Sequence, residues 1–287
     1  MMKKLIRLAT ILTLLFTTGI SVAETFVFTA IPDEDESRLQ QRFNKVADYL
    51  AGELGVEVQY VPVKSYAAAI TAFRNNQVQL AWFGGLSGVQ ARRLVPGSSA
   101  LAQGYEDQFF KTYFIAHHST GLQKSDHLTD ALKGKTFTFG SKGSTSGRLM
   151  PEFYLREAFQ AAPEDIFARV GFSGDHSRTI AQVQSGAYQV GAVNYTVWEN
   201  ELTAGNIDLN KIQVIWETPT YPDYQWTIRG DADSHFGTGF TDKVRQALLN
   251  MKDQELLASF PRQSFVPASN DDYAPIEATA KAIGLID

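Results

Sequence analysis

The amino-acid sequence predicts an α/β protein built on mostly parallel sheets. The first observation is that short apolar runs of strand length alternate with amphipathic helical patterns along the chain. The second is that polar and glycine-rich clusters follow several of the apolar runs directly, at points where helices begin. The third is the length of 287 residues, which is enough for a large core and is typical of chains that divide into two lobes.

The elements follow from the spacing of apolar residues and from the residues that end each run. The first helix begins in the acidic run 33–36, keeps its apolar residues on one face, and ends at Gly55. Ser65 can cap a second helix that extends to Phe73, and Gly84-Gly85 turns the chain from a strand into a third. The apolar face of the first helix consists of Leu39, Phe43, Val46, Ala47, Leu50 and Leu54. The predicted strands are 25–31, 56–61, 78–83, 113–116, 136–139, 190–193 and 214–216. Later helices are predicted at 149–159, 179–183, 241–251 and 275–283.

The acidic run from Asp33 to Glu36 has a structural explanation. Negative side chains at the start of a helix complement the positive end of its dipole, so these carboxylates need no ligand. We therefore interpret the run as a helix start rather than as part of a binding site.

The N-terminal segment 1–23 has the pattern of a secretory signal peptide. Basic residues precede a short apolar stretch, and Ser21-Val22-Ala23 supplies small residues before the predicted cleavage point. No cysteine occurs in the chain, which excludes disulfides and a lipid-anchor cysteine. The expected location is the periplasm, without membrane embedding. Loss of the signal would leave a formal charge of −8, which argues against a nucleic-acid-binding surface.

Five polar clusters lie where predicted strands end and helices begin. In open α/β sheets, ligands bind beyond the carboxyl ends of the strands, so these clusters are candidates for one shared site. The clusters are 64–66 (KSY), 84–87 (GGLS), 144–146 (STS), 173–177 (SGDHS) and 194–195 (NY).

The loop GSKGSTSGRLMP at 140–151 does not match the catalytic motifs that it resembles superficially. A nucleophile elbow would place Thr145 at the nucleophile position, and the one candidate base, His176, has only its sequence neighbour Asp175 as partner. A phosphate-binding P-loop fails because Thr129 stands where its first glycine belongs. A metal site is disfavoured because cysteines are absent and carboxylates are scattered, and we expect no cofactor.

An anion cradle fits the same loop better. Free backbone N–H groups at a helix start carry the positive end of the helix dipole and therefore attract an anion. Gly143 and Gly147 allow close approach of the backbone, and the hydroxyls of Ser144, Thr145 and Ser146 add donors. An ordinary serine-rich helix cap is the alternative explanation if the loop is taken alone.

Longer motifs resemble those of a known family. The strand segment KGKTFTFG followed by STSG, the segments SYAAAI and AWFGG, and the later GFSGDHS and AVNY are similar to those of phosphonate-binding periplasmic solute-binding proteins. The resemblance covers the chain after residue 23. Within the family, AIPDEDE, VPVKSYAAAITAFRN and FGSKGSTSGRLMPEF resemble the branch described as selenate-transporter binding proteins.

The resemblance implies a fold, a partner and a set of binding residues. The implied fold is the two-lobed type II periplasmic binding protein, with one lobe formed by 24–118 and 229–287 and the other by 119–228. The implied activity is capture of a small tetrahedral oxyanion, such as phosphonate, phosphite or selenate, for an ABC permease and its ATPase, without enzymatic turnover. The implied ligand-binding residues are Tyr66, Gly85, Leu86, Ser144, Thr145, Ser146, His176, Asn194, Tyr195 and Asp223.

Several of these residues keep a structural alternative. Tyr66 could only pack in the first turn of its helix, Asn194 could only cap the next helix, and His176 could only hold its own loop. If His176 donates to the anion as a cation, affinity should rise as the pH falls. Two other functions stay open: a sensory binding protein for a membrane kinase, and an exported hydrolase of phosphate or sulfate esters.

Overall fold

The structure is a computed structural model, and it describes residues 24–287. The signal peptide predicted at 1–23 lies outside these residues. The strands are β1 Phe26–Ala30, β2 Val58–Tyr60, β3 Leu80–Phe83, β4 Ser99–Gly104, β5 Thr112–His117, β6 Thr136–Phe139, β7 Arg169–Phe172, β8 Val190–Asn194, β9 Ile212–Glu217, β10 Gln225–Ile228 and β11 Phe265–Pro267. Within residues 24–287, no helix has both the length and the apolar character needed to cross a membrane.

The helices pack around two sheets. They are α1 Glu36–Leu54, α2 Tyr66–Arg74, α3 Gly85–Leu94, α4 Met150–Phe159, α5 Pro163–Ile166, α6 His176–Gln184, α7 Tyr195–Thr203, α8 Ala232–Phe236, α9 Phe240–Leu249, α10 Gln254–Ser259 and α11 Ala274–Ala282. The predicted apolar face of α1 is the buried one, and Gly55 ends the helix with a positive φ of 68°. Ser65 caps α2 as predicted, because its hydroxyl accepts from the Ala68 N–H at 3.1 Å.

Each sheet belongs to one lobe, which confirms the predicted two-lobed α/β fold. The first sheet has the strand order β11-β4-β10-β3-β1-β2, and the second has the order β7-β6-β8-β5-β9. Trp226 of β10 lies in the centre of the first core, where it packs against Phe28, Phe43 and Trp82. The second lobe buries smaller apolar clusters on the two faces of its sheet.

The sheets are mixed rather than mostly parallel, so this part of the prediction is wrong. Strand β1 runs parallel to β2 and β3, and β6 runs parallel to β7 and β8. In contrast, β10 is antiparallel to β3 and β4, and β5 is antiparallel to β8 and β9. The reason is that β5 and β10 enter their sheets from the cleft, beside the ends of β8 and β3, and so must run in the opposite direction.

The chain crosses between the lobes at 105–111 and 218–224. The predicted boundary at residue 118 is therefore wrong, because β5 pairs with β8 and β9 in the second sheet. Likewise, residues 225–228 form β10 of the first sheet and do not belong to the second lobe. The two crossings pair with each other, since the backbones of Phe110 and Tyr221 exchange two N–H···O bonds of 2.9 Å.

Candidate functional site

The STS loop, defined here as residues 144–146, is buried at the junction of the lobes. The Ser144 hydroxyl accepts from the Gly147 N–H at 2.9 Å, and the Leu149 N–H reaches back to the Ser144 carbonyl at 3.0 Å. This five-residue spacing makes residues 145–149 a π-type turn, a wide turn that recurs at functional sites. Among the described residues, the amide N–H groups of Thr145 and Ser146 have no acceptor. Two buried donors therefore lie at the start of α4, as the cradle prediction requires.

His176 lies opposite the STS loop as a neutral donor. Burial lowers the pKa of the imidazole to about 3, so the ring carries no charge at neutral pH. Its Nδ1 lies 3.3 Å from the Asn194 N–H and accepts from it, which places the ring proton on Nε2. Nε2 lies 3.5 Å from the Ser146 hydroxyl. The expectation that His176 attracts the anion as a cation is therefore wrong, because desolvation disfavours the charged ring.

Tyr66 reaches the same gap from the first lobe. Its ring is buried at the start of α2, and a Cβ added to Gly143 of the other lobe would lie 3.2 Å from the Tyr66 Cβ. Burial raises the pKa of the phenol well above its ordinary value, so the hydroxyl stays protonated. Although the Ser144 hydroxyl is near, Tyr66 Oη makes no well-aligned hydrogen bond to a described residue. A buried donor without a partner is what a bound oxyanion would satisfy.

Asp223 is the one carboxyl group among the residues predicted for the site. Its Oδ1 accepts from the Gly85 N–H at 2.8 Å, whereas Oδ2 makes no well-aligned hydrogen bond to a described residue. Burial raises the pKa of this carboxyl to about 7, and the nearby Thr145 and Ser146 hydroxyls oppose that shift. A carboxylate with an oxygen free in a dry gap favours a ligand that brings a proton.

The amides of Gly85 and Leu86, predicted to contact ligand, bind protein atoms in this structure. The Gly85 N–H donates to Asp223, and the Leu86 N–H donates to the Thr145 hydroxyl at 3.0 Å. Because Leu86 and Thr145 belong to different lobes, the second bond holds the lobes together beside the STS loop. The Thr145 hydroxyl oxygen therefore uses one of its lone pairs to accept this bond between the lobes.

Two predicted residues lie apart from this group of donors. The Asn194 side chain caps α7 by accepting from the N–H groups of Thr196 and Val197, and its amide donates to the Tyr224 hydroxyl at 2.9 Å. The Tyr195 ring packs on Phe110 at a centroid distance of 4.9 Å. The capping alternative for Asn194 is therefore the one that the geometry favours.

The structure adds residues that the sequence motifs did not indicate. The Thr112 hydroxyl donates to the Ser146 carbonyl at 2.8 Å and lies 2.5 Å from the Tyr221 hydroxyl, so both residues support the STS loop from behind. Asp33 and Glu34 are buried at the seam between the lobes, whereas only Asp35 and Glu36 serve the helix start. The assignment of the whole acidic run to the helix dipole is thus wrong. Asp33 follows the end of β1 closely, so the rule that identified the other clusters could have identified it.

The site as a whole consists of neutral donors and one carboxyl group. The donors are the Tyr66 and Ser146 hydroxyls, the His176 Nε2–H and the amides of the STS loop. In the described chain, no lysine or arginine side chain hydrogen-bonds to these groups, and residues 24–287 contain no cluster of three metal-ligating side chains. Such a set can hold a small anion by hydrogen bonds without a countercharge.

Comparisons with known proteins show what the chain as a whole resembles. A family model described as "ABC transporter, phosphonate, periplasmic substrate-binding protein" matches residues 28–273. A probable ABC transporter phosphite-binding protein of Prochlorococcus marinus, PhnD1, is 40% identical over 264 residues, which cover 90% of this chain and 89% of that protein. The solved structure of PhnD1 in complex with methylphosphonate has a TM-score of 0.87 at 39% identity and covers 91% of this chain and 99% of that one.

A more distant structure supports the fold alone. The binding-protein component of a phosphonate ABC transporter from Pseudomonas aeruginosa has a TM-score of 0.77 at 22% identity, covering 90% of this chain and 85% of that one. The matched family consists of substrate-binding proteins rather than enzymes, as predicted. The family model and the Prochlorococcus relative span most of the chain, and the chain belongs to the phosphonate-binding family of periplasmic substrate-binding proteins of ABC transporters.

Proposed function

We propose that this protein captures phosphite or methylphosphonate between its lobes and delivers it to the membrane permease of an ABC transporter. The observation that carries the proposal is the pairing of unfilled anion donors with the free Oδ2 of Asp223. The names of the related proteins point to the same two ligands. The donors would hold two oxygens of the ligand, and Asp223 would accept a hydrogen bond from its protonated oxygen.

Asp223 also bears on the choice between oxyanions. Phosphite and methylphosphonate keep one acidic proton over part of the neutral pH range, whereas sulfate and selenate are fully ionised there. A fully ionised anion would face the free oxygen of a buried carboxylate without a proton to share, which is repulsive in a dry gap. Membership of the selenate branch, which the motifs suggest, therefore stays a prediction. The buried carboxylate of Asp223 disfavours selenate as the ligand.

Calorimetric titration with phosphite, methylphosphonate, sulfate and selenate tests the ligand class. The wild-type protein should bind the first two and discriminate against the second two. In Asp223→Asn, the ratio of the affinity for phosphite to the affinity for selenate should fall by about 10- to 150-fold. The reason is that a hydrogen bond to a charged group contributes about 1.5–3 kcal/mol. Selenate binding tighter than phosphite in the wild-type protein would contradict the proposal.

The cradle itself is tested in the STS loop. The double variant Thr145→Ala/Ser146→Ala should weaken methylphosphonate binding severely while the unfolding midpoint of the empty protein changes little. Ser141→Ala is a suitable control, because Ser141 lies just before the STS loop and its hydroxyl accepts only from the Gly143 N–H. The substitution keeps the Ser141 backbone carbonyl, which accepts from the Ser144 N–H. Unchanged affinity in the double variant would remove the cradle from the proposal.

Delivery to a permease needs a test in cells. Deletion of the gene should abolish uptake of phosphite from the medium, and the wild-type gene should restore it. If the purified protein binds phosphite but the deletion leaves uptake unchanged, the sensory function is supported instead.

A further inference from the structure

Asp33 connects the first lobe to the second at two points. Its backbone carbonyl oxygen accepts from the backbone N–H of His176 at 2.9 Å, at the start of α6 in the second lobe. Its carboxylate Oδ2 accepts from the Tyr224 hydroxyl at 2.7 Å, and that hydroxyl accepts from the Asn194 amide. The chain of bonds Asp33–Tyr224–Asn194 thus runs from the loop after β1 through the second crossing to the end of β8, where α7 begins. Its two end residues belong to different lobes.

The second carboxylate oxygen of Asp33 has no hydrogen-bond partner among the described residues. The residue is buried beside a chamber of about 20 Å³ that both lobes line, with Arg42 and Arg262 on one side and Thr196 and Asn200 on the other. A bare carboxylate oxygen in such a place is costly, because burial penalises the ionised form. Residues of both lobes contribute to this burial.

The charged groups around Asp33 do not neutralise it. Glu34, the next residue, is buried and adds a second negative charge. Arg42 forms an ion pair with Glu34 at 2.6 Å, and Arg262 donates to both oxygens of Asp107 at 2.7 and 2.8 Å. Each arginine therefore already has a carboxylate partner, and the charge of Arg42 lowers the pKa of Asp33 by less than burial raises it. Burial, followed by the charge of Glu34, raises the pKa of Asp33 from 3.8 to about 7.

The other titratable groups that face Asp33 stay neutral near pH 7. Burial raises the pKa values of Tyr60, Tyr66 and Tyr224 above their ordinary range, and it lowers the pKa of His176. Burial also raises the pKa values of two other carboxyl groups near this seam, Asp175 at the start of α6 and Asp223 in the ligand site. Both are retained in the variants of Asp33 and Tyr224.

We propose that Asp33 couples closure of the lobes to the uptake of a proton, so that the ligand is held more tightly at lower pH. The proposal rests on the capture of ligand by closure, as proposed above. When the lobes separate, water reaches the carboxylate, and its pKa returns toward 3.8. Because the pKa is raised in the closed form, protonation favours closure. The gain is complete below the open-state pKa, decreases as the pH rises through the closed-state value near 7, and is absent above it.

Calorimetric titration with methylphosphonate in two buffers of different ionisation enthalpy counts the protons taken up on binding. Near pH 6, the wild-type protein should take up roughly one proton more than Asp33→Asn. Asparagine keeps an oxygen for the Tyr224 hydroxyl but cannot titrate. The ionisation of the ligand and of Asp223 is common to both proteins and cancels in the difference.

Two further variants complete the test. Glu36→Gln, an exposed member of the same acidic run, should take up as many protons as the wild type. Tyr224→Phe removes the hydrogen bond that lowers the pKa of Asp33, so its proton uptake should persist to higher pH.

Equal proton uptake by the wild type and Asp33→Asn would overturn the inference. If Asp33→Asn does not fold, an unshifted pH dependence in Tyr224→Phe would overturn it as well. Failure of the wild-type protein to bind methylphosphonate at any pH would instead contradict the proposed function.

Discussion

Replacement of Thr145 by valine should weaken ligand binding by breaking a bond between the lobes. The Thr145 hydroxyl accepts from the Leu86 N–H at 3.0 Å, and both groups are buried. Valine has nearly the same shape but no acceptor, so closure would leave the Leu86 N–H without a partner. An unsatisfied buried donor costs about 1–3 kcal/mol, which corresponds to about 5- to 150-fold weaker binding. The bond joins the two lobes and holds neither lobe together internally, so the free energy of unfolding should change little.

Calorimetric titration with methylphosphonate measures the loss, and thermal unfolding of the empty protein checks the fold. Thr145→Ser is the matched control, because serine keeps the hydroxyl and should bind close to the wild-type affinity. This prediction is refuted if Thr145→Val binds methylphosphonate as tightly as the wild-type protein does. It is also refuted if Thr145→Ser loses as much affinity for methylphosphonate as Thr145→Val. Loss of the threonine methyl group, rather than of the hydroxyl, would then explain the weaker binding.

Three further predictions concern the site and its support. His176→Gln should weaken methylphosphonate binding but leave the pH slope of affinity between about pH 5.5 and pH 8 unchanged, because a ring with a pKa of about 3 does not titrate there; a flattened slope would show that His176 ionises. Gly143→Ala should weaken methylphosphonate binding about 5- to 150-fold without lowering the unfolding midpoint, since the Cβ of the alanine would press on Tyr66 only when the lobes close. Equal affinity of the variant and the wild type in titration would contradict this prediction. Arg262→Met should lower the free energy of unfolding in urea by about 3–5 kcal/mol, because it strands the buried carboxylate of Asp107, and adding Asp107→Asn should recover part of the loss.

The local pattern of the sequence predicted most strands and the position of the STS loop. Strand β6 lies where predicted, and Ser65 and Gly55 act as the helix cap and the helix end that their residue types indicated. These features depend on neighbours in the chain. The rule that polar residues after strands share a site pointed to Tyr66 and His176, which lie close to Gly143 and Ser146, respectively.

The errors concern contacts between distant parts of the chain. The direction of β5 and β10 depends on where the crossings enter the sheets, and no local pattern contains that information. Asn194 could be a cap or a ligand contact, and the choice depends on the position of Tyr224. The charge of His176 depends on burial by both lobes, which a residue list does not show.

The order of strands in the first sheet has a consequence for synthesis. Strand β10, made from residues 225–228, lies between β3 and β4, so β4 cannot join β3, β1 and β2 in one sheet until more than three quarters of the chain has been made. The second sheet draws all its strands from one continuous stretch, 112–217, and can form as that stretch emerges from the ribosome or from a translocation channel. Strands β1 to β4 therefore remain in an incomplete sheet while the second lobe is made, and this lobe can fold before the first.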